Sequence, residues 1–186
     1  MDKKQKKYLA LALAILAIAL FSGSTLAYYT VIGTATNVVT SGNIRLAIHE
    51  TTDNGDPFPK DGVNVIPGDT VTKEVAIQNI CNHPFWLRVE LVKGSSKEAL
   101  SAAEVLQIQG LNRENWTEHE TYYYYNEILQ PGERTESLFT GVHIKGALVD
   151  QHDIGTALTI TVKAEAVQSE HNPAQNPWEA SGWPAA

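Results

Sequence analysis

A single cysteine, Cys81, is the whole thiol inventory of this 186-residue chain. It cannot close an internal disulfide, and without a second cysteine there is no zinc ribbon and no thioredoxin-type pair. The fold must rest on packing alone. Charge is also scarce, at 19% Asp, Glu, Lys and Arg, and it is segregated. Lys3, Lys4, Lys6 and Lys7 crowd the first seven positions, which leaves 10 basic against 20 acidic residues from Tyr28 onward. A surface of that sign offers nothing to a nucleic-acid backbone. The longest apolar run, Leu9–Phe21, has 13 residues and falls short of the roughly 20 that a membrane span needs.

What is present at the N-terminus has a definite order. Four lysines precede the apolar run, and Ser22-Gly23-Ser24-Thr25 follows it. This is the three-part arrangement of a secretory signal peptide, with Thr25 and Ala27 as the small residues before a cut between Ala27 and Tyr28. The other reading is an uncleaved anchor running through Ala27; in both, the remainder faces the outside. A chain beginning at Tyr28 is long enough to bury about 70% of its unfolded surface in one domain, 28–168.

From Tyr28 the pattern is β. Thr30-Val31-Ile32 and Thr36-Asn37-Val38-Val39-Thr40 are rich in β-branched residues, which prefer a pleated surface. Ile44, Leu46 and Ile48 alternate with Arg45, Ala47 and His49; Val71, Val75 and Ile77 share one parity, as do Phe85, Leu87, Val89 and Leu91. Leu138, Val142 and Ile144 mark a further strand, and Leu158, Ile160, Val162, Ala164 and Ala166 alternate with polar residues along the last. Such period-two patterns belong to half-buried antiparallel strands. Ile66-Pro67-Gly68-Asp69 and Gln130-Pro131-Gly132-Glu133 predict type II turns, with Pro at the second position and Gly at the third. Only the stretch from Ser96 to Gln109, stopped by Gly110, has helical composition. Residues 169–186 show no periodicity and predict a flexible tail. The fold class is therefore all-β, a two-sheet antiparallel sandwich of jelly-roll or immunoglobulin-like type with one short helical insertion.

The sequence resembles the TasA/camelysin family of secreted and cell-surface proteins of Gram-positive bacteria. The residues that carry the resemblance are the Lys-rich start with Gly23-Ser24-Thr25-Leu26-Ala27-Tyr28-Tyr29-Thr30, then Thr40-Ser41-Gly42-Asn43-Ile44-Arg45-Leu46, then Ile66-Pro67-Gly68-Asp69-Thr70-Val71-Thr72-Lys73-Glu74-Val75. The resemblance implies a jelly-roll-like sandwich, processing by a signal peptidase, secretion, and assembly into biofilm matrix fibres in which the N-terminal segment of one subunit completes the sheet of the next. It also implies an association with metallopeptidase activity. Chemistry independently allows such assembly: 28–40 is an uncharged, β-prone arm, with Tyr28, Tyr29, Val31, Ile32, Val38 and Val39 as its contact residues, beside a Ser41-Gly42 hinge. The alternative is that the arm folds back as an edge strand of its own domain.

Enzymatic constellations are thin. There is no His-Glu-x-x-His; His49-Glu50-Thr51-Thr52-Asp53 and His119-Glu120-Thr121-Tyr122-Tyr123 approach it, but both fall on strand or loop, where ligands at that spacing do not converge as on a helix. Cys81 and His83 lack a third orienting group. No catalytic residue, metal ligand or cofactor is expected. Asp53-Asn54-Gly55-Asp56 and Asp150-Gln151-His152-Asp153 could offer oxygens to calcium, though neither has the EF-hand pattern. In Tyr122–Tyr125 alternate residues face opposite sides, so Tyr123 and Tyr125 are candidate surface contacts, with Trp178 and Trp183 of the tail. Asn115-Trp116-Thr117 is a formal glycosylation sequon. The reading that follows is a secreted structural subunit that self-associates into fibres, alone or with other matrix components, without nucleic acid. A camelysin-type metalloendopeptidase and a monomeric adhesion module are the alternatives.

Overall fold

The computed structural model describes Gln5 and residues 29–37, 44–149, 151–153 and 155–184. The expected cleavage site at Ala27 and Tyr28, and Val38 and Val39 of the arm, lie outside the described residues.

The chain is all-β. Its centre is the antiparallel ladder of β6 (Phe85–Ser95) with β11 (Ala157–Gln168), continuous from Phe85↔Gln168 to Ser95↔Leu158. Alternation dictates which side faces in: Leu158, Ile160, Val162, Ala164 and Ala166 on β11, and Phe85, Leu87 and Val89 on β6, have no exposed surface. Each large apolar side chain so buried contributes about 1.5–3 kcal/mol. The outward parity carries cross-strand charge pairs, Arg88 with Glu165 at 2.6 Å and Lys163 with Glu90 at 3.1 Å, on directly opposed residues. β1 (Tyr29–Asn37) and β3 (Val63–Val65) extend this sheet on one side, β9 (Tyr122–Tyr125) and β8 (Trp116–His119) on the other, giving the order β3-β1-β11-β6-β9-β8.

The facing layer is built from two smaller sheets that share one chain segment. β4 (Thr70–Thr72) and β5 (Glu74–Asn79) are interrupted only at Lys73. β5 pairs with β2 (Leu46–Thr51), and β4 with β10 (Gly141–Ile144), which in turn pairs with β7 (Leu106–Gln109). Backbone bonds from Leu138 N to Val75 O and Thr135 N to Ile77 O carry the segment before β10 along β5, so the layer is continuous. Side chains of both layers, among them Val75, Ile77, Val142, Leu87 and Ile160, form a single core. The architecture is the antiparallel sandwich expected from the periodicity.

Both Pro-Gly turns form as the sequence predicts. Asp69 N donates to Ile66 O at 3.1 Å and Glu133 N to Gln130 O at 3.0 Å, with φ of 96° at Gly68 and 84° at Gly132. Two elements differ. The helical stretch shortens to α1 (Ala102–Val105), and Leu106–Gln109 becomes β7. Pairing with β10, which puts Leu106 opposite Ile144 in the core, outweighs helical propensity there. Residues 169–184, expected to be a flexible tail, are packed on the outer face of the larger sheet. Asn172 Oδ1 accepts from Ser181 N and Oγ at 3.0 Å, Trp183 Nε1 donates to Pro177 O at 3.2 Å, and Ala180 joins Trp86 and Val167 in a second apolar cluster.

Candidate functional site

The arm occupies a built seat. β1 runs parallel to β11 from Thr30↔Ala157 to Asn37↔Ala164 and antiparallel to β3 from Tyr29↔Val65 to Val31↔Val63. It folds back onto its own domain, flanked by β3 over Tyr29–Val31, while from Ile32 to Asn37 its ladder among the described residues is to β11 alone. Every other ladder among the described residues is antiparallel. Tyr29 and Val31 point to the core with no exposed surface, while Ala35, further along the same face, is exposed. On the other face Thr30 Oγ1 donates to Asn64 Oδ1 at 3.3 Å. The turn before β3 comes so close that a Cβ on Gly62 would stand 2.4 Å from Val31 O, and φ there is 78°. Only glycine meets both demands.

Beneath the arm lies a buried ion pair. Lys73, at the break between β4 and β5, has no exposed surface, and its Nζ is 2.7 Å from Glu50 Oε1 and 4.3 Å from the centre of the Phe58 ring. Among the described residues neither Nζ nor Oε1 has a further hydrogen-bond partner. Burial pushes the Lys73 pKa down, against the opposing pull of Glu50. The roof of this pair is the backbone of Gly33, where a Cβ would fall 2.1 Å from Lys73 Nζ and 2.8 Å from Glu50 Oε2. An isolated glycine in a β-branched run is the signal that marks such a close approach in a sequence, and neither Gly33 nor Lys73 was among the expected contact residues.

The tyrosines divide otherwise than expected. Tyr125 is buried, against the expectation of a surface contact, because its ring packs 5.2 Å from Trp116 and its hydroxyl donates to Glu136 Oε2 at 2.6 Å. Tyr123 is half-buried against the core. Tyr122 and Tyr124 are covered from outside: the Arg88 guanidinium lies 3.8 Å over Tyr122 and 4.8 Å over Trp183, and donates to Pro184 O at 2.9 Å. Trp178 stacks on His119 at 5.2 Å. Both tail tryptophans are thus half-buried in intramolecular packing.

Among the described residues the histidines and acids form no cluster of three or more. His49 is engaged at both ring nitrogens, Nε2 with Gln78 Oε1 and Nδ1 with Arg134 Nη2, each at 3.1 Å, while its neighbour Glu50 turns inward to Lys73. His143 Nδ1 meets Thr70 Oγ1, and His83 pairs with Glu170. The Cys81 thiol is buried and donates to Asn79 Oδ1 at 3.0 Å. Of the two acidic loops, Asp53 and Asp56 are exposed, Asp153 is paired with Lys97, and Asp150 lies outside the described residues. Among the described residues no three His, Cys, Asp or Glu side chains gather as a metal site would require. No helix among them is long and apolar enough to cross a membrane.

A family model described as camelysin metallo-endopeptidase matches residues 2–97, a span that runs through β1 to β6. It contains the arm, the Gly62 turn, and both members of the buried pair. No curated protein and no solved structure matches the chain. The family's description implies a metal, and the donor sets around His49 and His119 do not fit one: the first ring is saturated by Gln78 and Arg134, and among the described residues no two further His, Cys, Asp or Glu side chains gather beside the second.

Proposed function

Because this chain belongs to the camelysin metallo-endopeptidase family, and from the geometry of its N-terminal strand, we propose that it is a secreted structural subunit that assembles into extracellular biofilm matrix fibres by exchange of β1 between copies. The observation that carries the reading is the position of β1: a strand near the chain's N-terminal end, inserted between β3 and the long strand β11 with two side chains sunk in the core. Withdrawing it uncovers the pairing edge of β11 and an apolar slot. The same strand from another copy restores every contact, so exchange has little equilibrium cost beyond association itself. Parallel pairing, slightly weaker per residue than antiparallel, eases release. Removal of a leader before Tyr28 frees the end that must move.

Electron microscopy and light scattering on the chain from Tyr28, at neutral pH with and without calcium, test this. Ordered filaments are expected; a chain that stays monodisperse in both conditions would exclude fibre assembly. The family's description favours a second reading, a secreted metalloendopeptidase. Chelator-sensitive degradation of casein by the same preparation would decide for it.

A further inference from the structure

Tyr29 and Val31 explain why an apolar strand occupies the seat, but not why this strand in this register. We propose that Gly33, set over the buried Lys73–Glu50 pair, is the specificity-determining residue of strand addition, so that the seat takes from a second copy of this chain only a strand with Tyr29, Val31 and Gly33 at successive inward positions. The inference rests on the strand-exchange reading and supplies its selectivity.

The face of β1 that points inward reads Tyr29, Val31, Gly33, Ala35. The first two fill the core, and the third stands where a side chain has no room: its Cβ would lie 2.1 Å from Lys73 Nζ, 3.2 Å from Lys73 Cε and 2.8 Å from Glu50 Oε2. A lysine tip on a surface would swing aside. Lys73 is wholly buried, with its amine held between Glu50 and the Phe58 ring, and moving it separates an ion pair away from water. Register follows from the same contact. A slip of one residue turns the apolar set to the outside. A slip of two brings Val31 or Ala35 over the pair, and Gly33 is the sole glycine in 29–37. One register therefore survives, and a foreign β-prone strand without the glycine is refused. The costly buried pair has a use here as a steric and electrostatic gauge.

The test uses four versions of the chain from Tyr28: wild type, Gly33→Ala, a Lys73→Ala background that also carries Glu50→Ala so that no carboxylate is left buried without its partner, and the double variant, Gly33→Ala in that background, in which shortening both side chains makes room for the new methyl. Two readouts are taken, the rate of filament growth by light scattering and the hydrogen-exchange protection of the β1 amides in the monomer. Gly33→Ala is expected to slow growth and reduce β1 protection by roughly tenfold or more. In the Lys73→Ala background the same substitution should cost less than about threefold in either. Gly33→Ala without effect, or equally harmful in both backgrounds, would overturn the inference. A wild-type chain that forms no filaments, with the coupling present in exchange protection, would overturn the fibre function while upholding the fit between Gly33 and Lys73. Should Gly33→Ala alone fail to fold, recovery in the double variant decides the matter by itself.

Discussion

Tyr125 and Asn79 show how single side chains bind the layers together. The Tyr125 hydroxyl is buried and donates to Glu136, and both burial and the acceptor carboxylate push its pKa well above the usual tyrosine range. The folded state therefore holds this proton more tightly than the unfolded state, whose tyrosines release theirs near about pH 10. Its contribution is complete below about pH 10 and is lost as pH rises beyond. Tyr122 and Tyr123, raised by burial, act in the same sense, whereas Lys73 and Lys93, lowered by burial, favour the folded state as pH climbs toward about 10.4. Tyr125→Phe isolates one contribution. It should cost about 1 kcal/mol at pH 7 in urea unfolding, with the gap to wild type narrowing above about pH 10; a gap that stays constant to pH 11 would contradict the assignment. Asn79 is fully buried because its amide donates to His83 O and Leu129 O while its oxygen accepts from Cys81 N and Sγ. No sequence pattern announces that role, since a lone Asn at a strand end reads as a turn residue.

Among the elements, the strands with a clean two-residue period were legible because burial on one face and solvent on the other leave that trace directly. β11 is the clearest case, all five of its expected inward residues having no exposed surface. The stretch after Ser96 misled because composition reports local preference, while the edge of β10 decides the outcome. The tail misled for a related reason. Polar composition says little when two tryptophans can settle on an arginine and an imidazole already presented by β6 and β8. β1 was legible as a strand, but its neighbours were not, for pairing partners depend on the whole topology. Its placement carries a prediction. If β1 leaves its seat without global unfolding, its amides should exchange at least about tenfold faster than those of β6 and β11, with β3, whose one ladder among the described residues is to β1, following it. Identical protection of β1 and β11 in hydrogen-exchange mass spectrometry would mean that the strand departs only when the whole domain unfolds, and exchange by a local route would fail.

At the scale of the whole molecule, the family places the chain and the geometry says what its N-terminal strand can do. The sandwich stands without disulfides, with His49 held between Gln78 and Arg134 and Glu50 turned inward to Lys73. What the fold offers is a seat for β1 alongside β11, flanked at its start by β3. The most direct test of exchange uses Thr30→Cys with Asn64→Cys, two opposed residues of β1 and β3 whose side chains touch, in a Cys81→Ser background. The chain from Tyr28 is assembled under reducing conditions, oxidised, and run on a non-reducing denaturing gel. Strand exchange predicts a ladder of covalent oligomers, each disulfide joining β1 of one copy to β3 of the next; filaments that yield only internally cross-linked monomers would contradict it.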